Sequence, residues 1–286
     1  MVAAVFVCGH GGVSATFAIR VATVSREQVF SGKYRRYPAE VSISGDLYLL
    51  SLDPSGYGQL HPVELGCALL GAELVDLAVL GRISVEATRI RRLDEPDETD
   101  ELDDDDQFDN PMLRTLMSSL RYASGPKWPG PDEVLRALAL NQADAYDSAW
   151  ADWRAAGADS EQRDAVLERV VSTVTDGSGE MADEVLLALS HTARLTGHLV
   201  SKLRHRRLHK QLNDRAEQCS RFWTSPSKLG AVAGYGGLVE LHSSVRCALT
   251  AATRIAADPV SLKGPSILGA AWGPDPRGGL PYGVTE

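Results

Sequence analysis

The stretch Asp53–Glu86, DPSGYGQLHPVELGCALLGAELVDLAVLGRISVE, decides the fold. Asp53-Pro54-Ser55-Gly56 is a turn signal. Pro62 suits the first position of a helix, because its missing N–H has no intrahelical partner there, and Glu64 complements the positive end of the dipole. Gly66, Cys67, Ala68, Gly71, Ala72 and Ala78 interleave with Leu65, Leu69, Leu70, Leu74 and Leu77. A helix this apolar on most faces belongs at the centre of a domain, and its small residues let neighbours approach closely. Gly81 is a natural left-handed stop. Arg82-Ile83-Ser84-Val85 and Thr88-Arg89-Ile90-Arg91 then alternate as a β-hairpin does.

Upstream, Leu47, Leu49 and Leu50 form a short apolar segment. Downstream, Asn110-Pro111 opens a helix with Met112, Leu113, Leu116, Met117 and Leu120 on one face. Apolar spacing predicts further helices at about 131–141, 143–156 and 160–175, then from Met181 to Leu203, Leu208 to Trp223 and Leu238 to Ala257. There is no internal repeat and no domain linker. The expected fold is mainly α: a single helical domain, residues 43–257, around a central buried helix with a small β-hairpin. It is flanked by an N-terminal extension (1–42) and a Pro/Gly-rich tail (258–286). In the extension, Cys8-Gly9-His10-Gly11-Gly12 lacks the Gly-Lys-Ser/Thr of a phosphate loop, and Ser14 stands where a dinucleotide fingerprint needs its third glycine.

At 286 residues and 44% hydrophobic content, the chain can bury a substantial core. Its net charge of −9 is concentrated: Asp94–Asp109 holds eleven carboxylates and no Lys or Arg, so the other residues together carry +2. That acidic loop (94–110) reads as a solvated like-charge block and lacks the ligand spacing of a calcium loop. The four cysteines are widely spaced and read as reduced thiols of a cytosolic protein. No run reaches the ~20 apolar residues of a membrane span, and the first residues lack the basic region of a signal peptide. A Gly-x-Ser-x-Gly elbow, an HExxH helix, a P-loop and a kinase signature are all absent, so no catalytic residue, metal ligand or cofactor is expected and the chain reads as a non-enzyme.

Three blocks, in order, resemble the Golgi phosphoprotein 3 family. LYLLSLDPSGYG with LVDLAVLGRI is similar to the family's leucine run, Asp-x-x-Gly-Tyr turn and helix end. Val166-Leu167-Glu168-Arg169 follows. LLALSHTARLTGHLVSKL, Leu186–Leu203, continued by Asn213-Asp214-Arg215-Ala216, resembles a later family helix. The resemblance implies a mostly helical, peripheral membrane protein on the cytoplasmic face, one that binds phosphatidylinositol 4-phosphate or other anionic phospholipid headgroups. The family's headgroup pocket combines an aromatic residue with arginines. His61 stands at the aromatic position and Leu70 at the central-helix arginine. A protein-interaction module that kept the scaffold and lost the lipid is the competing expectation.

The strongest basic cluster is Lys202–Lys210, KLRHRRLHK. Lys202, Arg204, Arg206 and Arg207, with His61, are the candidate headgroup ligands. The blander reading is a solvated helix end whose cations complement a C-terminal dipole. Nucleic acid is not an expected partner, because the cluster is short and has no aromatics within it; a DNA-binding reading of residues 62–93 would rest on Arg89, Arg91 and Arg92. His191, His198, His205 and His209 would line one stripe if a single helix ran that far. Phe222-Trp223 is either an exposed wedge or a core-closing pair, and so is the pair Trp150 and Trp153. Glu73 and Asp76 read as a buried acid pair or as partners of Arg82 or another arginine.

Overall fold

The computed structural model describes residues 42–53, 62–93, 110–122, 129–151, 159–177, 179–200, 205–225 and 236–258. The glycine run at Cys8 with the rest of the extension to residue 41, the acidic residues 94–109, Trp153 and residues 259–286 of the tail lie outside the described residues. The described residues form a mainly helical fold: α1 (Ile43–Ser51), α2 (Pro62–Val79), β1 (Ile83–Val85), β2 (Ile90–Arg92), α3 (Pro111–Tyr122), α4 (Pro131–Ala149), α5 (Asp159–Asp176), α6 (Met181–Thr192), α7 (Thr196–Leu199), α8 (Arg206–Thr224) and α9 (Gly236–Ala257).

Helix α2 is the centre, as its composition requires. Every residue from Glu64 to Ala78 is buried. Helices α4 and α9 pack most extensively along it, and α1, α3, α6 and β1 also contact it. Two glycines set how closely they come. A Cβ on Gly66 would collide with the backbone carbonyl of Ala139 on α4, and one on Gly71 would lie 2.7 Å from the Cβ of Ala252 on α9. Gly81, at φ 69°, closes α2 in the left-handed conformation, with Arg82 N–H donating to Leu77 O and Gly81 N–H to Ala78 O. The hairpin follows at once, antiparallel, with Ser84 opposite Arg91 and Val85 opposite Ile90. Its buried side is Ile83, Val85 and Ile90, and Val85 N–H donates to Ser244 Oγ of α9 at 3.1 Å.

The apolar segment at Leu47 is a helix, α1. Ser42 caps it, its Oγ accepting from Gly45 N–H at 2.9 Å. Helix α5 clasps it at both ends: Arg163 Nε donates to Leu52 O at 2.7 Å, and Arg169 bridges Asp46 of α1 (2.5 Å) and Asp183 of α6 (2.6 Å).

Two expected boundaries are corrected. The helices predicted at 131–141 and 143–156 are one helix to Ala149, because Gln142 is buried and donates to Glu73 of α2 instead of interrupting the turn. The helix predicted from Met181 to Leu203 stops at Thr192. There Arg194 takes φ 58°, Leu195 N–H donates to Ser190 O and Arg194 N–H to His191 O. This is a Schellman stop with arginine in the place usually held by glycine, so the sequence carries no breaker to announce it.

Two stability outcomes follow. Gly66→Ala should lower unfolding free energy by about 1–3 kcal/mol in urea denaturation, since the obstacle is backbone and cannot swing aside. Arg194→Gly should change it by less than about 1 kcal/mol, because the relief of a left-handed residue that loses its Cβ is offset by the loss of the guanidinium 3.6 Å from Glu64, whose side chain is only 12% exposed.

Candidate functional site

The described part of the basic cluster opens α8. Arg206, Arg207 and Lys210 are exposed on its first two turns, with His205 at the N-cap. His205 makes no side-chain cap hydrogen bond, and no acidic residue stands in the first turn. Nor does any of the three cations pair with a described carboxylate. The expectation that these cations complement a helix C-terminus is therefore corrected: they stand at the N-terminal, positive end of the dipole. Cations there cost the helix roughly 0.3–1 kcal/mol each instead of stabilising it. The free N–H groups of the turn and three cations combine into one electropositive end.

The helix itself is firmly seated. Leu212, Ala216, Cys219, Ser220 and Trp223 form its buried face, packed chiefly on α6. Arg215 pairs with Glu184 at 2.7 Å, and Asn213 Nδ2 donates to His209 O at 3.0 Å. The expected wedge splits in two. Trp223 closes the core, stacked on His242 at 5.3 Å, while Phe222 is 43% exposed. Trp150 is likewise buried.

Of the other candidates, His61, Lys202 and Arg204 lie outside the described residues. Leu70 is 0% exposed, one more core leucine of α2. The histidine stripe does not form, because the chain turns at Arg194 between His191 and His198. On the hairpin, Arg89 is bound by Glu86 at 2.7 Å, and Arg91 lies 3.8 Å from the same carboxylate.

Glu73 and Asp76 prove to be a buried acid pair, and the expected ion pair with an arginine is corrected: among the described residues neither has a cationic partner. Asp76 instead binds the start of α1. Its Oδ1 accepts from Ile43 N–H at 2.8 Å, and its Oδ2 from Ser44 N–H at 3.0 Å and Ser44 O–H at 2.7 Å. Asn110 Nδ2 reaches both Ser42 and Ser44 at 3.2 Å, while its Oδ1 accepts from Met112 N–H at the start of α3. Glu73 Oε1 accepts from Gln142 Nε2 at 2.5 Å. Its Oε2 and the nearby Tyr146 hydroxyl are buried without a well-aligned hydrogen bond, although the phenol is near enough to act on the carboxyl. Ser44, Asn110 and the α4 residues Gln142 and Tyr146 come from three separate segments, and only the carboxyls gave any signal of the network in the sequence.

Burial raises both acids against the donors that hold them, Glu73 to about 8 and Asp76 to about 7. Asp46 is raised too, for the same reason, with Arg169 opposing. A carboxyl whose folded pKa exceeds its unfolded value gives stability that is complete below about pH 4 and is lost as pH rises through the folded value. Stability to urea should therefore fall by a few kcal/mol between about pH 5 and about pH 8, and Glu73→Gln should flatten that slope.

Comparison with known proteins gives one match. Residues 43–156 fit the family model described as Golgi phosphoprotein 3 (GPP34). No curated protein and no solved structure matches the chain. The matched segment runs from the first residue of α1 through α4, and so contains the central helix and the hairpin. Residues 43–156 are therefore similar to the Golgi phosphoprotein 3 (GPP34) family.

Proposed function

We propose that the chain is a non-enzymatic, peripheral binder of anionic phospholipid headgroups, and that it meets the membrane with the N-terminal end of α8. The observation that carries the reading is the placement of Arg206, Arg207 and Lys210 where helix energetics oppose them. Side chains that break a local rule in an otherwise consistent structure are commonly kept for a ligand. A phosphate-bearing headgroup reverses the sign of the cost, because guanidinium forks and free backbone N–H groups both donate to its oxygens. The family match supports the same reading, since a resemblance to Golgi phosphoprotein 3 makes phosphatidylinositol 4-phosphate the first headgroup to test. Among the described residues no helix is long and apolar enough to cross a membrane, which suits attachment at a surface.

The second reading, a protein-interaction module, is favoured by Leu70. At the position of the family's central-helix arginine it offers a headgroup nothing and is sealed in the core. Lipid binding here therefore leans on α8 and not on the familiar pocket.

Co-sedimentation with vesicles at low ionic strength, where attraction is least screened, separates the two. Phosphatidylcholine vesicles carrying phosphatidylinositol 4-phosphate or phosphatidylserine should pull the protein down, and pure phosphatidylcholine should not. Each surface cation contributes about 1 kcal/mol, so Arg206→Gln, Arg207→Gln and Lys210→Gln combined should weaken binding about a hundredfold. Equal indifference to anionic and neutral vesicles would leave the interaction module as the standing explanation.

A further inference from the structure

The buried acids are arranged for more than packing. Glu73 and Asp76 sit one turn apart on α2, both buried. Three donors from α1 hold Asp76, two of them the first backbone amides of that helix. Glu73 has a single amide donor and one buried oxygen left over. We propose that Glu73 and Asp76 form a proton-controlled latch fastening the start of α1 to the central helix, closed while the pair holds at least one proton and open when it holds none.

The order of proton loss follows from the donors. Three hydrogen bonds stabilise the anion on Asp76, so its proton leaves first and the remaining one stays on Glu73. In that state the anion sits at the N-terminus of α1, where the dipole favours it. Removing the second proton leaves two anions one turn apart in the core. The pair titrates as a unit, and the later step belongs to Glu73. The separate values of about 7 and about 8 keep the same order.

Among the described residues, none of the groups that act on Glu73 or Asp76 is a cation. From α1 comes Asp46, a further anion acting on Asp76, and Tyr48. Helix α4 brings Gln142 and Tyr146, both neutral, and the start of α3 brings Asn110. Arg169 of α5 is divided between Asp46 and Asp183 of α6. Strand β1 carries no charged residue, and Arg254 of α9 pairs with Asp132. Relief comes at α1, a helix of nine residues whose first amides depend on the carboxylate. Its release also frees Asn110, and with it the start of α3.

The test is hydrogen exchange at the Ile43 and Ser44 amides of the full chain. Corrected for intrinsic rate, their protection should fall about tenfold or more from about pH 6 to about pH 9, while amides in the middle of α8 keep theirs. In Glu73→Gln, protection should stay level across that range. Level protection in the unaltered chain, or the same fall in Glu73→Gln, overturns the latch. Should that variant not fold, the Glu73 carboxyl of the unaltered, carbon-13-labelled chain gives the answer by its titration. A midpoint above neutrality upholds the latch, and one in the ordinary glutamate range overturns it.

Discussion

A helix buried from Glu64 to Ala78 has no wet side on which to leave a charge. That constraint organises the rest of the molecule. Its neighbours must come close, which Gly66 and Gly71 allow. Its two deepest carboxyls must find donors within the protein, because an unpaired buried polar group costs about 1–3 kcal/mol. They find them on other elements. Asp76 takes the first amides of α1 and Glu73 takes the amide of Gln142. Hydrogen bonds to the central helix thus decide where α1 begins and help carry α4 straight through residue 142. Asn110 extends the same logic, tying the serines of α1 to the first turn of α3.

What could be read from the sequence was local. The glycine stop at Gly81, the hairpin after it and the small-residue face of α2 are each written within a few residues, and each appears as expected. Boundaries failed where the deciding partner was distant or the signal unusual. Gln142 resembles a polar interruption until Glu73, 69 residues away, is placed beside it. Arg194 ends α6 in a conformation that glycine normally announces. The basic cluster was visible as composition, but its meaning depended on which end of a helix it occupied. That polarity is a property of the fold.

Helix α8 shows two demands on one segment. Its apolar face follows the ordinary period and closes on α6 with Trp223 as the last anchor. Its opening turns gather cations against the dipole. The buried face holds the helix in place firmly enough for the other end to be unfavourable on its own account. In that division of labour, packing supplies the stability and the exposed end is left to electrostatics.

The clasp of α5 on α1 bears on where this protein can be divided. Arg163 and Arg169 stand beyond the matched segment 43–156, yet they hold both ends of its first helix. Helix α9, farther along still, covers α2 at Gly71. The limits of the recognisable family segment are therefore not the limits of a cooperative folding unit. Cut after residue 156, the piece would keep its signature and lose the partners that make its central helix an interior one.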